Sequence, residues 1–217
     1  MFVTFEGLDL SGKTTQARLL VDHITRIREE TPSLWPPVTF IREPGGTPIS
    51  ERLRKILLDK QHLEMTDLTE LLLFSASRAQ VVSQVIRPAL RRGEIVICDR
   101  YYDSTTAYQG YGRALDLEDV RRINSIATGR LDPELTILVD IPVEEIDRRR
   151  DVAGVPFDRM ESSGQAFYER VRQGYRALAA LEPHRYVVID GTDPVERVEA
   201  SVWTAFTRRQ SVIHQTV

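Results

Sequence analysis

A phosphate-binding loop is the most specific chemical motif in this sequence. The segment Gly7-Leu8-Asp9-Leu10-Ser11-Gly12-Lys13-Thr14 fits the pattern GxxxxGK[ST], between a strand-like run and an amphipathic stretch. In a strand, loop and helix arrangement, backbone N–H groups and the helix N-terminus surround one anion. Lys13 would then reach the β- and γ-phosphates of a nucleotide, and the Thr14 hydroxyl would bind Mg²⁺.

An acidic residue ends a second apolar run. The sequence Glu94-Ile95-Val96-Ile97-Cys98-Asp99 reads as a buried strand that delivers Asp99 at its carboxyl end. In a protein with a phosphate-binding loop, this is where a carboxylate of the magnesium site belongs. We therefore predict Thr14 and Asp99 as the metal-site residues.

Four arginines are predicted to converge near the carboxyl edge of the sheet. Arg42 and Arg100 stand at the ends of the second and third strands, and Arg54 and Arg78 lie within the two helices between them. Guanidinium groups bind phosphate bidentately and stabilise the charge shared between donor and acceptor in phosphoryl transfer. Several of them near one sheet edge favour an acceptor that is itself a phosphate, which needs no general base. A GTPase is disfavoured, because none of the three lysines follows an asparagine, as in the base-reading motif Asn-Lys-x-Asp.

The elements that must position these residues alternate between strand and helix. Stretches with apolar residues three and four apart, such as 19–27 and 68–86, predict helices between five short β-branched and aromatic runs. This pattern predicts an α/β protein with the three-layer P-loop kinase fold, in which a five-stranded parallel sheet has helices on both faces. The predicted strands are 2–5, 38–41, 95–98, 135–139 and 186–189.

Composition limits the class of protein. A chain of 217 residues with 41% hydrophobic residues fits one domain, 1–217, and a net charge of -3 disfavours nucleic-acid partners. We also expect no membrane partner, because no apolar run approaches the ~20 residues of a membrane span. The lone cysteine, Cys98, fits a reducing compartment, so we predict a cytoplasmic location.

Two irregular segments interrupt the helices and strands. Residues 31–37 contain three prolines and predict a surface connector. Residues 151–163 are either a solvated loop or a lid over a ligand, and we place the lid at about 150–162.

Five motifs in chain order resemble those of bacterial thymidylate kinases, and the resemblance covers nearly the whole chain. They are Phe5-Glu6-Gly7-Leu8-Asp9 leading to Thr15-Gln16; Arg42-Glu43-Pro44-Gly45-Gly46-Thr47; Leu71-Leu72-Leu73-Phe74-Ser75-Ala76-Ser77-Arg78; Asp99-Arg100-Tyr101 with Ser104-Thr105-Thr106-Ala107-Tyr108-Gln109-Gly110-Tyr111-Gly112-Arg113; and Asp158-Arg159-Met160-Glu161. The resemblance implies transfer of the γ-phosphoryl group of ATP to dTMP, with Mg²⁺. It also implies a homodimer, for which the leucine-rich stretch 68–86 offers an apolar surface.

The resemblance also implies roles on the acceptor side. Phe74 would stack on thymine, Arg78 would donate to a thymine carbonyl, and Tyr108 would crowd the 2′ position. Thr105 and Gln109 would lie near the edge of the base. Asp9 would accept the sugar 3′-hydroxyl, and Arg54 and Arg100 would hold the acceptor phosphate. The complete set of implied dTMP-binding residues is Asp9, Pro44, Arg54, Phe74, Arg78, Arg100, Thr105, Tyr108 and Gln109.

On the donor side, the resemblance implies that Arg148 stacks on adenine and that the loop 190–194 closes the base pocket. The implied ATP-binding residues are Gly7, Leu8, Asp9, Leu10, Ser11, Gly12, Lys13, Thr14, Thr15 and Arg148. The implied catalytic residues are Lys13, Arg100, Asp9, Arg150 and Arg159.

Arg150 and Arg159 are included because this chain departs from the family's pattern at Leu10. Many bacterial family members have glycine where this chain has Leu10, and another branch has an arginine there that helps catalysis. Residues 152–157 of the predicted lid are uncharged and apolar, so Arg150 and Arg159 at its two ends are the available candidates. We hypothesise that one of these two reaches the transferred phosphoryl group. Two other functions stay open: another P-loop deoxynucleoside or nucleotide kinase, with Asp9 or Glu43 as its base, and a nucleotide-binding protein without catalysis.

Overall fold

Five parallel strands form one sheet in the computed structural model, which describes residues 1–154, 159 and 164–215. Their order across the sheet is β2-β3-β1-β4-β5, and every neighbouring pair is parallel. All five predicted strands are confirmed. Their bounds are Phe2–Glu6 for β1, Val38–Arg42 for β2, Ile95–Asp99 for β3, Leu135–Asp140 for β4 and Tyr186–Asp190 for β5.

Helices connect the strands and cover both faces of the sheet, as predicted. The α-helices are α1 (Lys13–Glu30), α2 (Pro48–Leu58), α3 (Asp67–Val81), α4 (Arg87–Arg91), α5 (Tyr102–Thr105), α6 (Leu117–Thr128), α7 (Glu144–Ala153), α8 (Gln165–Leu181) and α9 (Val195–Gln215). Two π-helical segments, Val82–Ile86 and Thr106–Gly112, continue α3 and α5. The predicted connector 31–37 contains no helix or strand.

Alternating side chains of the strands supply both layers of the core. On one face, Val3 and Phe5 of β1 pack with α1 and α9. On the other face, Phe2 and Val96 pack with the end of α3 and with α4, and Leu138 packs with α8. The inner strands β1 and β3 are buried along their whole length, which explains their near-continuous apolar sequences.

The carboxyl ends of β1, β2 and β3 meet at one edge of the sheet. In the register of the sheet, Phe5 and Arg42 both lie opposite Asp99. In open α/β sheets, ligands bind in the crevice outside these strand ends, where the strand order reverses. Here that place is beside β1, and the loop after β1 leads directly into α1.

The lid predicted at 150–162 lies mostly outside the described residues, which include only 150–154 and 159 of that segment. None of the described helices is both long enough and apolar enough to cross a membrane.

Candidate active site

The loop between β1 and α1 has backbone angles that explain its glycines. Gly7 has a φ of 142°, and a Cβ there would lie 2.4 Å from the carbonyl oxygen of Val139. Gly12 is the N-cap of α1 with a φ of 94°. Leu10 also lies in the left-handed region, with a φ of 59°, which costs a residue other than glycine about 1 to 2 kcal/mol. The departure at Leu10 therefore falls where the backbone favours glycine.

Lys13 is buried in this loop and is 6% exposed. Its Nζ donates a hydrogen bond to the Leu8 carbonyl oxygen at 3.1 Å. Burial and the nearby charge of Arg100 lower the pKa of Lys13, while Asp9 and Asp99 oppose that shift. An anion in the loop would provide the charge that balances this ammonium group.

Thr14 and Asp99 lie together, as the metal-site prediction requires. The Thr14 hydroxyl donates to Oδ2 of Asp99 at 2.5 Å, and Oδ1 of Asp99 is buried without a hydrogen-bond partner in the described part of the chain. Hard oxygen donors of this kind suit Mg²⁺, which is held by few protein groups together with phosphates and water. The described residues contain no group of three or more acidic, histidine or cysteine side chains that could hold a metal ion.

A cleft beside the loop contains all nine side chains predicted to bind dTMP. It is lined by Asp9, Glu43, Pro44, Arg54, Leu58, Phe74, Arg78, Arg100, Ser104, Thr105, Tyr108 and Gln109. Arg54 donates from Nη1 to the Pro44 carbonyl oxygen at 3.1 Å. Of the four arginines expected to converge, Arg42 does not line the cleft: its half-exposed side chain pairs with Glu51 at 3.5 Å.

Asp9 joins the phosphate-binding loop to this cleft. Its Oδ1 lies 2.6 Å from Nη2 of Arg100, and its Oδ2 accepts hydrogen bonds from the hydroxyls of Tyr108 and Tyr168. Burial raises the pKa of the Asp9 carboxyl, but the charges of Arg100 and Lys13 and the hydrogen bonds outweigh it, so the net shift is downward. Asp9 is therefore ionised and held in place, and it can accept a hydrogen bond from a hydroxyl.

A buried acid at the end of β1, Glu6, holds the two hydroxyl groups that contact the Arg100 guanidinium. Glu6 accepts hydrogen bonds from the hydroxyls of Ser104 and Tyr175, at 2.5 and 3.0 Å. Those two hydroxyls also lie 3.0 and 3.1 Å from Nη1 of Arg100 and accept from it. Burial and the charge of Asp103 raise the pKa of Glu6 to about 7.

Arg78 is held by a second buried acid. Its Nε donates to Oε2 of Glu43 at 2.8 Å, and its Nη1 donates to the Thr105 hydroxyl at 2.9 Å. Both side chains of the pair are only 2% exposed. Burial raises the pKa of Glu43 to about 7, even though Arg78 opposes the shift. The other carboxylate oxygen, Oε1, is buried without a hydrogen-bond partner in the described part of the chain.

Gln109 is oriented by a third buried acid, Glu70 of α3. The Gln109 amide nitrogen donates to Oε1 of Glu70 at 2.8 Å. Oε2 of Glu70 lies 2.6 Å from Nη2 of Arg159, and Arg113 contacts the same carboxylate. One carboxylate thus contacts both a cleft residue and a residue of the predicted lid.

On the donor side, the structure places Arg149 rather than Arg148 against the phosphate-binding loop. Nη1 of Arg149 donates to the carbonyl oxygens of Leu10 and Ser11, at 3.0 and 3.1 Å, and Nη2 donates to that of Gly191 at 2.6 Å. Arg148 is one residue earlier on the helix, its side chain is 64% exposed, and it pairs with Glu145. A step of ~100° per residue puts the two on different sides of α7.

The two lid arginines predicted to be catalytic, Arg150 and Arg159, are both buried. Arg150 pairs with Asp147 at 3.3 Å, and Arg159 donates to the Leu57 carbonyl oxygen at 2.8 Å besides its ion pair with Glu70. Neither is among the described residues that line the cleft. The remainder of the motif that ends the predicted lid, at 158 and 160–161, lies outside the described residues.

Sequence reasoning missed several functional candidates: Glu6, Glu70, Ser104, Arg149, Tyr168 and Tyr175. For Glu6, the signal was available, because an acid that ends a buried strand was the argument used for Asp99. For Tyr168 and Tyr175 no local signal exists, since α8 reaches the site from more than 150 residues after Asp9 and Glu6.

Comparisons with known proteins agree on one family. Residues 5–202 match the family model described as thymidylate kinase. A thymidylate kinase of Geobacter sp. (strain M21) is 46% identical over 213 residues, which cover 96% of this chain and 92% of that protein. One of Desulfovibrio desulfuricans is 48% identical over 204 residues, 91% of each chain. A crystal structure of thymidylate kinase from Ehrlichia chaffeensis superposes with a TM-score of 0.74 at 35% identity, covering 95% of this chain and 98% of that one. With the phosphate-binding loop, the cleft and these relatives in agreement, the chain belongs to the thymidylate kinase family.

Proposed function

We propose that this chain transfers the γ-phosphoryl group of ATP to dTMP, giving dTDP and ADP. The proposal rests on one observation: the phosphate-binding loop and the cleft share a residue. Asp9 belongs to the loop and also lines the cleft, where it forms an ion pair with Arg100. A nucleotide in the loop and a second nucleotide in the cleft would thus present their phosphates to each other across Asp9 and Arg100.

The cleft supplies positive charge where an acceptor phosphate would lie. Arg54 and Arg100 both line it, and a phosphate oxygen is already deprotonated at neutral pH, so the transfer needs no general base. Arg100 would stabilise the charge that is shared between donor and acceptor, and Lys13 would do so on the donor phosphates. Transfer between two such phosphates is mostly a matter of position and electrostatics.

Thr14 and Asp99 would hold Mg²⁺ at the donor phosphates, because the hydroxyl and the unpartnered carboxylate oxygen are the hard donors at that place. The ion would neutralise part of the phosphate charge. We propose that Arg149, rather than Arg148, stacks on adenine, because Arg149 contacts both the phosphate-binding loop and Gly191.

The proposal is tested by separating products after incubation of the purified chain with ATP, Mg²⁺ and either dTMP or thymidine. We expect dTDP from dTMP and no thymidine phosphorylation. An Arg100→Met variant should lose about 10² to 10³ in kcat, the magnitude found when one donor to developing charge is removed. Arg42→Met, which removes an arginine outside the cleft, is the matched control and should keep the wild-type rate.

Two results would reject the proposal in different ways. Phosphorylation of thymidine in preference to dTMP would indicate a deoxynucleoside kinase. Binding of both nucleotides without dTDP formation would indicate a nucleotide-binding protein without catalysis.

We further propose that the chain acts as one domain and as a homodimer in the cytoplasm. Leu68 and Leu72 project from α3 with about half of their surface exposed, as expected of an apolar contact face. Sedimentation equilibrium at micromolar concentration should give twice the monomer mass of 24.8 kDa, and Leu72→Lys should shift the mass toward the monomer.

A further inference from the structure

Glu70 is a buried acid next to the cleft rather than in its lining. It is 1% exposed and lies on α3, one turn before Phe74. Its Oε1 accepts the amide N–H of Gln109 at 2.8 Å. Its Oε2 lies 2.6 Å from Nη2 of Arg159. Arg113 contacts both oxygens, with Nε 3.3 Å from Oε1 and Nη2 3.4 Å from Oε2.

This carboxylate determines which end of the Gln109 amide faces the cleft. A carboxylate oxygen can only accept a hydrogen bond, whereas a glutamine amide has an NH₂ donor at one end and a carbonyl acceptor at the other. With its NH₂ group turned to Glu70, Gln109 has its carbonyl oxygen, Oε1, left as the group that can face a ligand in the cleft it lines. An acceptor at this place suits a pyrimidine whose N3 carries hydrogen.

We propose that Glu70 is a positioning residue that holds the Gln109 carbonyl toward the base and thereby makes the site prefer thymine over cytosine. Thymine carries N3–H, whereas N3 of cytosine is an unprotonated acceptor that would face the Gln109 oxygen without a hydrogen atom between them. The inference rests on the proposed function, because it assumes that the cleft binds a pyrimidine monophosphate.

Glu70→Gln tests the orientation with little change of shape. The new side chain has one acceptor oxygen, which we expect at the former Oε2 position, because the donor there is the charged guanidinium of Arg159 at 2.6 Å and the donor from Gln109 at the other position is a neutral amide. Arg113 contacts both positions and does not decide between them. Its NH₂ group then faces Gln109, which must turn its own carbonyl oxygen inward and its NH₂ group toward the base. The variant thus inverts the hydrogen-bond polarity that the base meets.

The readout is the ratio of kcat/KM for dTMP to kcat/KM for 5-methyl-dCMP, two acceptors of nearly the same shape. We expect Glu70→Gln to lower this ratio about tenfold or more, the size of one hydrogen bond to a buried group, with most of the change in the KM for dTMP. A purely structural role of Glu70 would instead reduce kcat/KM for both acceptors equally and leave the ratio unchanged, which would overturn the proposal.

Asp67→Asn is the matched control. Asp67 lies on the same helix, loses the same charge and also faces Arg113 at 3.5 Å, but its side chain is half exposed. We expect the control to keep the wild-type ratio within about twofold, because exposed ion pairs contribute little. A loss of selectivity in this control as large as in Glu70→Gln would assign the effect to Arg113 and overturn the role of Glu70.

Gln109→Met removes the other partner of the hydrogen bond between Gln109 and Glu70. It therefore tests the proposal even if Glu70→Gln does not fold. It should lower the acceptor ratio by a similar factor, and adding Glu70→Gln in that background should lower it no further, because both act through one group. An unchanged ratio in Gln109→Met overturns the proposal. If the wild-type chain is active on dTMP, that failure concerns Glu70 alone; if it is inactive on dTMP, the proposed function fails as well.

Discussion

The buried pair of Glu43 and Arg78 should make this protein less stable as the pH rises from 5 to 8. A glutamate beside an arginine at 2.8 Å would ordinarily have a lowered pKa, but burial of the Glu43 carboxyl dominates and raises its pKa to about 7. In the unfolded chain, the pKa of glutamate is near 4.5. Between these values, the folded state binds a proton that the unfolded state has released.

The sign of the effect follows from proton linkage. Stability falls with rising pH wherever the folded state binds more protons than the unfolded state. The contribution of Glu43 is therefore fully present below about pH 4.5 and is lost as the pH rises to about 7. At 1.36 kcal/mol per unit of pKa shift, the change amounts to about 2 to 3 kcal/mol between pH 5 and 8.

The measurement is a comparison of the wild type with Glu43→Gln by urea unfolding at pH 5, 6, 7 and 8. The unfolding free energy of the wild type minus that of the variant should decrease by about 2 to 3 kcal/mol across this range. Glu6, whose pKa is also raised, is present in both chains and cancels in the subtraction. As a control, Glu145→Gln should give a flat difference, because the pKa of Glu145 is lowered and its window lies below pH 4.5.

A difference for Glu43→Gln that is flat or rises from pH 5 to pH 8 would refute this reasoning. It would mean that the attraction of Arg78 outweighs burial and keeps Glu43 ionised throughout. The same buffers can be used for dTMP binding by calorimetry, since Arg78 and Glu43 both line the cleft.

Three further predictions concern the nucleotide sites. Tyr108→Phe should keep the preference for deoxyribose, because it keeps the ring that is predicted to crowd the 2′ position. Its kcat/KM for dTMP should fall about tenfold, because the hydroxyl's hydrogen bonds with Asp9 and Arg100 are lost. Steady-state kinetics with dTMP and its ribose analogue measures both effects. Arg149→Met should raise the KM for ATP about tenfold or more and Arg148→Met should not, because only Arg149 contacts the phosphate-binding loop. In single-turnover experiments, either Arg150→Ala or Arg159→Ala should slow phosphoryl transfer by roughly 10³ or more, and an unchanged rate in both would remove the lid-arginine hypothesis.

Much of the fold could be predicted from the sequence because its signals are local. A buried parallel strand is a short β-branched run, and the phosphate-binding loop fixes its own flanking strand and helix. The cleft-lining residues followed from the resemblance to known motifs, and the structure brings all nine together. What they bind in this chain stays a prediction.

Other features depend on which residues meet in space, and the sequence does not show this. The row of three arginines at 148–150 could not reveal which one faces the loop, because that depends on the exact phase of α7. Likewise, Glu43 was considered only as a base for another type of kinase. Its pairing with Arg78 joins residues 35 positions apart and depends on the packing of α3 on the sheet.

The placement of Arg100 links one strand end to both proposed nucleotide sites. Arg100 has a φ of 70°, which costs about 1 to 2 kcal/mol and must be compensated by its surroundings. Glu6 supplies much of that restraint, since its Oε1 accepts the backbone N–H of Tyr101 at 2.7 Å while its Oε2 holds the two hydroxyls that contact the guanidinium group. The residue after Glu6 is Gly7, the glycine that opens the phosphate-binding loop. Because Glu6 at the end of β1 restrains the arginine and the next residue, Gly7, opens the loop, a shift of this strand end would displace the proposed donor and acceptor sites together.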